Sequence, residues 1–306
     1  SLRRYSYIRW KQKIMGWDKD RIVELLLRAG DMAREARKKL TLEIKSDHSL
    51  VTQADLEIEA LFTEALEDEA AGCYIIGEET ISRKGDDYVA AALESEAWVV
   101  DPIDGTAPFA HFLPNWGVSI GYMKAGKLVH GGVYLPDYGE LIISSGDDEF
   151  TVHEGKETGG EWTWRELSFP PRPPDGRGLI AITQALAKRG QCLLPNPVMA
   201  LGAAVVPLLG LLQGRFLAYL GSVKLWDAAG ALPLLLRLGF EASLEIDGEI
   251  VPVTTAVDNG TYELSADSPR RWYFRSSLLI HHPGDAELMR SSMVENCPTG
   301  EHLQDD

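Results

Sequence analysis

Apolar positions at Ile22, Leu26, Ala29, Ala33, Ala36 and Leu40 recur at alternating spacings of four and three, and predict a helix with one buried face. Residues 52–66 repeat the pattern with Ile58, Phe62 and Ala65 on one side, and the polar stretch 45–49 reads as a loop. The period then shortens. Residues 73–76 and 97–100 are short apolar runs that each end in carboxylates, as buried strands do when they deliver polar residues to a rim. Residues 117–123, 128–135 and 140–144 predict three successive strands, with turns at Ala125-Gly126 and Pro136-Asp137. The polar, glycine-containing stretch 154–160 reads as a loop, and Trp162 and Trp164 alternate as strand residues covering a core face. Residues 170–178 form a Pro/Gly connector.

The second half opens with a buried helix over 201–213 and a short strand over 215–219. Residues 228–238 are apolar almost all round and predict a fully buried helix, which Pro233 should kink or loosen in its first turns. The longest apolar run, 198–212, is broken by Gly202, Pro207 and Gly210 and falls short of the roughly 20 residues of a membrane span, so it reads as core. Helices and strand clusters do not alternate strictly, which predicts an α+β layered fold. One domain over 15–295 is expected, in two lobes of about 15–195 and 196–295, with a frayed tail over 296–306. Residues 1–13 are basic and aromatic without an apolar segment, so 1–14 are read as an extension or expression scar outside the fold.

With 306 residues and 45% hydrophobic composition the chain can bury a large core. A net charge of −16 counts against nucleic-acid binding, which leaves a basic footprint. It does not count against a phosphate substrate, because bound divalent cations invert the local field. Cys73, Cys192 and Cys297 are dispersed and form no CxxC pair, which fits a reducing, cytoplasmic setting and gives no thiolate metal site.

Five carboxylates fall at predicted element ends: Asp55, Glu78, Asp101, Asp104 and Asp227. In Asp101-Pro102-Ile103-Asp104-Gly105-Thr106 the proline fixes φ and the glycine permits a tight turn, so two carboxylates three positions apart can converge. Thr106 adds a hydroxyl, and Gly105 lets a bulky anion approach the backbone. A helix starting just after this turn would turn free N–H groups toward phosphate. Taken singly, Asp104-Gly105 is an ordinary turn pair, Asp227 a helix cap, and Glu78-Glu79 a solvated pair.

Taken together they read differently. Gly77-Glu78-Glu79-Thr80, the Asp101–Thr106 string, and Leu225-Trp226-Asp227-Ala228-Ala229-Gly230 resemble, in order and spacing, the three signature segments of the inositol monophosphatase family. Lys45 with Leu50-Val51-Thr52-Gln53-Ala54-Asp55 resembles the family's N-terminal active-site stretch, so the resemblance spans about residues 20–290. It implies a layered αβαβα sandwich of the sugar-phosphatase type, two to three Mg²⁺ ions, hydrolysis of a small phosphorylated metabolite, and commonly a homodimer sensitive to Li⁺. By that resemblance Glu78, Asp101 and the Ile103 carbonyl hold a first metal, Asp101, Asp104 and Asp227 a second, and Glu78 a weaker third. Thr106 with Asp55 would orient and help deprotonate the attacking water, and Gly105, Thr106, Gly202 and Ala203 would contact substrate.

The chain departs from the family at several points. Ala107-Pro108-Phe109 stands where members often carry Asn-Phe, Gly202-Ala203-Ala204 lacks a hydroxyl, and Pro207 takes an acidic or amide position. Seven residues before Asp227, where inositol-hydrolysing members carry a glutamate for the sugar hydroxyls, this chain has Leu220, which argues against inositol phosphate. The leading reading is a sugar or polyol phosphate phosphatase. The alternatives are a 3′-phosphoadenosine bisphosphate or histidinol-phosphate phosphatase, and a catalytically degenerate binding protein. His281-His282 is read as a surface loop, His111 as cleft-lining or packing, Lys45 as an exposed lysine or a counter-charge, and Cys73 as buried.

Overall fold

The structure is a computed structural model that describes residues 13–39, 49–146, 149–173 and 176–295, so Lys45 lies outside the described residues. Helix α1 (Lys19–Lys38) starts at Asp18, whose carboxylate accepts the Arg21 N–H, and it pairs with α2 (Ser49–Leu66). Then come β1 (Cys73–Gly77), α3 (Asp86–Glu94), β2 (Glu96–Asp104), α4 (Thr106–Ala110) and the strands β3 (Gly117–Lys124), β4 (Lys127–Leu135), β5 (Glu140–Ser144), β6 (Val152–Thr158) and β7 (Glu161–Glu166). These seven strands form one sheet in sequence order, with β1 and β2 parallel and the later neighbours antiparallel.

The second half continues with β8 (Leu179–Ile182), α5 (Gln184–Arg189), β9 (Gly190–Cys192), β10 (Val198–Met199), α6 (Val205–Leu212), β11 (Phe216–Gly221), α7 (Leu225–Ala229) and α8 (Leu232–Leu238). It closes with β12 (Glu241–Ile246), β13 (Glu249–Pro252), β14 (Leu278–His281), α9 (Ala286–Ser292) and β15 (Met293–Glu295). A six-stranded sheet has the order β10-β8-β11-β14-β12-β13, and β15 pairs with β9.

Three buried clusters explain the stacking. Side chains alternate across a strand, and on β2 Trp98 and Val100 pack with Ile22 and Leu26 of α1 and Phe62 of α2, while Ala97 and Val99 face the opposite core. That core is filled by Val205, Leu208 and Leu212 of α6 and Leu232 and Leu235 of α8, and it reaches Tyr219 and Ile280 of the second sheet. Behind the second sheet, Leu220 and Leu279 meet Leu186 of α5 and Met289 of α9. The layers are therefore α, β, α, β, α. Central strands are buried on both faces, so they read as continuous apolar runs rather than alternating ones.

Several local expectations are corrected. Ile14 is buried and its N–H donates to the Ala65 carbonyl at 2.9 Å, so the packed chain begins before residue 15. Residues 154–160 are not a loop but most of β6 and its hairpin to β7, their polarity satisfied by partners: the buried Glu154 carboxylate takes bonds from Arg165 and Gln213. Trp162 packs on the core as expected, but Trp164 on the outer strand is 39% exposed and stacks on Trp162. Helix α6 starts at Val205 rather than 201. The apolar stretch 228–238 is split between α7 and α8, with Pro233 in the first turn of α8, where a missing N–H costs no helix bond. His281 and His282 are buried rather than in a surface loop; His281 ends β14, and His282 packs edge-on against Phe169 and Phe240.

Glu140, buried at the start of β5, is held by the Arg215 guanidinium at 2.6 and 2.8 Å, with Lys156 and Gln213 beside it. Burial would raise its pKa, but those bonds outweigh burial and hold it at about 2. A carboxyl depressed in the folded state contributes stability above its ordinary pKa and loses it as pH falls from about 4.5 to about 2. Arg215→Met is expected to cost about 2–3 kcal/mol at neutral pH, below the range for a fully buried pair because Arg215 is half exposed. Urea titrations at pH 7 and pH 3 check this: the variant's deficit should shrink at the lower pH.

Candidate active site

The rim is made by strand register. Because β1 and β2 are parallel and Gly77 pairs with Val100, the chain leaving β1 puts Glu78 beside the end of β2, with its N–H donating to the Val100 carbonyl at 3.3 Å. β2 then loses register against β3 between Asp101 and Asp104, at Pro102-Ile103. Proline cannot donate to a ladder, and such an irregularity re-aims side chains. Asp101 and Asp104 thereby reach one volume.

Gly105 follows at φ 91°, and an added Cβ there would lie 2.7 Å from both the Ala203 Cβ and the Asn115 carbonyl oxygen, so this turn has room only for glycine. It caps α4, as expected of a helix beginning after the turn. Pro108 has no N–H, and the Phe109 N–H bonds the Gly105 carbonyl, which leaves the Thr106 and Ala107 amides without an intrahelical acceptor. The exposed Thr106 hydroxyl donates back to the Ile103 carbonyl at 3.3 Å. His111, on the exposed end of α4, bonds the Ala107 carbonyl.

The third carboxylate comes from the second half of the chain. Asp227 lies inside α7, where its Oδ2 accepts the Lys224 N–H at 2.8 Å, so it closes the helix's first turn rather than serving as the cap residue itself. The run Ala228-Ala229-Gly230 lets α7 descend onto the first sheet: an added Cβ on Gly131 would fall 2.2 Å from the Gly230 carbonyl oxygen. Ser119 on β3 ties down the Trp226 carbonyl at 3.3 Å. Small residues in this string are thus what brings Asp227 to the end of β2.

Asp101, Asp104 and Asp227 each offer an oxygen within 4.8 Å of the others. Asp101 is 1% exposed and neither of its carboxylate oxygens has a hydrogen-bond partner among the described residues. Asp104 Oδ2 accepts the Val205 N–H at 2.6 Å and so also caps α6. Burial, then repulsion from Glu78 and Asp104, drives the Asp101 pKa well above the carboxylate range; burial and Asp227 do the same to Asp104 despite the Val205 N–H. Asp227 is raised to about 7 by burial and by Glu78. Three converging carboxylates, two of whose buried oxygens have no donor among the described residues, could hold a hard divalent cation, and their all-oxygen chemistry fits Mg²⁺.

Asp55 on α2 belongs to the same electrostatic cluster. Burial first, then Glu79, Glu78 and Glu59, raise it to about 8. Burial with Glu78 and Glu59 raises Glu79 to about 7. Ile103 sends its side chain into the core beneath, leaving its carbonyl at the turn. Gly202 and Ala203 line a cavity of about 660 Å³ together with Asp104 and Asp227.

Three residues escaped the sequence reading. Glu59, one turn after Asp55, is buried and accepts the Glu79 N–H at 2.9 Å and the Thr80 hydroxyl; the i,i+4 spacing from Asp55 was the available signal. Lys224 places its ammonium 3.2 Å from Glu78 Oε1, three residues before Asp227. Tyr219 lines the cavity, whereas neighbouring Leu220 points into the cluster behind the second sheet. Leu220 therefore does not form the pocket wall, because adjacent strand residues face opposite ways.

The description "Inositol monophosphatase family" matches residues 19–270. Similar proteins include the qutG protein of Emericella nidulans, 26% identical over 75% of this chain and 82% of that protein. Inositol monophosphatase 1 of Rattus norvegicus is 28% identical over 72% and 80% of the two chains. The inositol-1-monophosphatase of Bacillus subtilis is 29% identical over 68% and 77%. Among solved structures, inositol monophosphatase-II of Staphylococcus aureus superposes with a TM-score of 0.62 at 20% identity, covering 89% of this chain and 91% of that one. Mycobacterium tuberculosis SuhB gives 0.60 at 21% identity over 88% and 92%.

Proposed function

Because the chain belongs to the inositol monophosphatase family, whose members are metal-dependent phosphomonoester hydrolases, we propose that its carboxylate cluster hydrolyses a small sugar or polyol phosphate with Mg²⁺. The observation that carries this reading is the convergence of buried Asp101, whose carboxylate oxygens have no donor among the described residues, with Asp104 and Asp227. Buried carboxylates that repel one another destabilise a fold unless protons or a cation neutralise them, and near neutral pH a cation does so without holding protons.

Asp101, Asp104 and Asp227, with Glu78 and the Ile103 carbonyl, would hold the ions. Divalent cations there would supply charge to the phosphoryl oxygens and the leaving oxygen and would make water a stronger nucleophile. The chain's own residues do the rest. The Thr106 and Ala107 amides can donate to phosphate oxygens. Thr106 Oγ, its own hydrogen engaged by the Ile103 carbonyl, can accept a hydrogen bond that orients the attacking water, while Asp55 takes the single proton the water gives up. Asp55 suits that role because burial and its acidic neighbours raise its proton affinity. Lys224 balances Glu78 without entering the carboxylate triad. In-line transfer asks for positioning and charge, so no covalent nucleophile is needed.

Phosphate release from inositol, sugar, histidinol and nucleotide phosphates, with Mg²⁺ and with EDTA, tests the reading. Release is expected from at least one substrate and should stop with EDTA. Silence across the panel with Mg²⁺ still bound would favour the degenerate protein, and silence without Mg²⁺ binding would remove the metal assignment.

A further inference from the structure

We propose that the substrate carries a second anionic group besides the phosphate that is hydrolysed, and that Lys188 and Arg189 bind it. The inference rests on the phosphatase reading above and narrows its substrate class. The cavity that holds Asp104 and Asp227 is also walled by Lys188 and Arg189 at the end of α5. Both side chains are exposed, and among the described residues neither forms an ion pair or hydrogen bond. The chain has 46 acidic residues against 30 Lys and Arg, so two adjacent cations left without acidic partners on a cavity wall are informative.

The rest of the wall supplies donors. Tyr219 is 1% exposed, and its buried hydroxyl lacks a hydrogen-bond partner among the described residues. An unpaired buried O–H is costly, and this one lies in the field of Asp227 and Asp104. Ser222 Oγ accepts from Arg270 Nη2 at 3.0 Å, which leaves its own O–H free to donate inward. Among the described lining residues the only carboxylates are Asp104 and Asp227, which the metal site occupies. Leu220, whose side chain has no polar atom, faces the other side of the sheet. Thr183 and Gln184 on the same wall can donate as well as accept, and two cations without an ion-pair partner among the described residues suit a phosphate or carboxylate, which Arg189 can engage in bidentate fashion.

Matched substrates test this. Steady-state kinetics would compare glucose 1-phosphate with glucose 1,6-bisphosphate, and glucose 6-phosphate with 6-phosphogluconate, so that the second anion is a phosphate in one pair and a carboxylate in the other. The doubly anionic member should have a KM lower by about 10-fold or more, and Arg189→Ala should erase that advantage while kcat changes little. Arg189→Lys should restore part of it, and Lys188→Ala should act in the same direction. Equal effects on both members of each pair, or no effect, would overturn the proposal. Calorimetric titration of 6-phosphogluconate and glucose 6-phosphate into the metal-free protein reads the anion site without turnover. Tighter binding of 6-phosphogluconate that Arg189→Ala abolishes would support the anion site whatever the activity on these four substrates, and the hydrolysis reading stands or falls separately on the wider panel with Mg²⁺ and EDTA. Equal binding of the two would overturn the anion site.

Discussion

Asp227→Asn is expected to lower Mg²⁺-dependent phosphate release by at least about 10²–10³-fold at saturating substrate, with the fold intact. The variant removes a negative charge from the triad of Asp101, Asp104 and Asp227 but keeps an oxygen to accept the Lys224 N–H that closes α7. Asp104→Asn should behave alike, since the amide oxygen can still cap α6 through the Val205 N–H. Both variants also relieve repulsion in a buried cluster, so their metal-free forms should melt no lower than the parent. Phosphate release and melting curves on the same samples separate the two effects. Full activity in either variant would end the metal assignment, and a lowered metal-free melting point would show a structural role instead.

Saturating Mg²⁺ is expected to raise the melting temperature by about 5 °C at a concentration near 100 Kd, and by more at pH 8 than at pH 6. The sign follows from the raised carboxyls. Asp55 at about 8, and Glu79 and Asp227 at about 7, keep protons in the folded metal-free chain that the unfolded chain has already released above about pH 4–5. The folded state then binds more protons, so metal-free stability falls as pH rises toward 8. Mg²⁺ competes with those protons, hence binds more tightly as they leave. Differential scanning calorimetry at pH 6, 7 and 8, with Mg²⁺ and with EDTA, measures both slopes. A melting temperature indifferent to Mg²⁺ at all three would refute the cation site.

The turn that brings Asp101 and Asp104 together was legible in the sequence because it is local. The string Asp101–Thr106 holds two carboxylates, a proline and a glycine, and covalent spacing already confines them to one turn. The strands β1 to β5 were legible for a related reason: a strand buried on both faces needs an unbroken apolar run. β6 was not, because its buried Glu154 depends on Arg165 and on Gln213, 59 positions away, and no local pattern shows a partner that distant. The single helix read over 228–238 failed because apolar content fixes burial but not continuity, which Pro233 and the close approach of Gly230 to Gly131 decided.

What the sequence determined by itself is therefore the family and the layered class of fold, together with the local string that sets Asp101 and Asp104 in one turn. Only the tertiary structure decided how they act together. It paired β1 with β2 so that Glu78 meets Asp101, lowered α7 on small residues to bring in Asp227, and buried Glu59 under the Glu78-Glu79 turn. It also turned Tyr219 rather than Leu220 toward the cavity and set Lys188 and Arg189 on its wall. The physical reason is that a residue type and its spacing specify what a side chain can bind. Strand register, the facing of each side chain and the approach of elements distant in sequence specify what it meets.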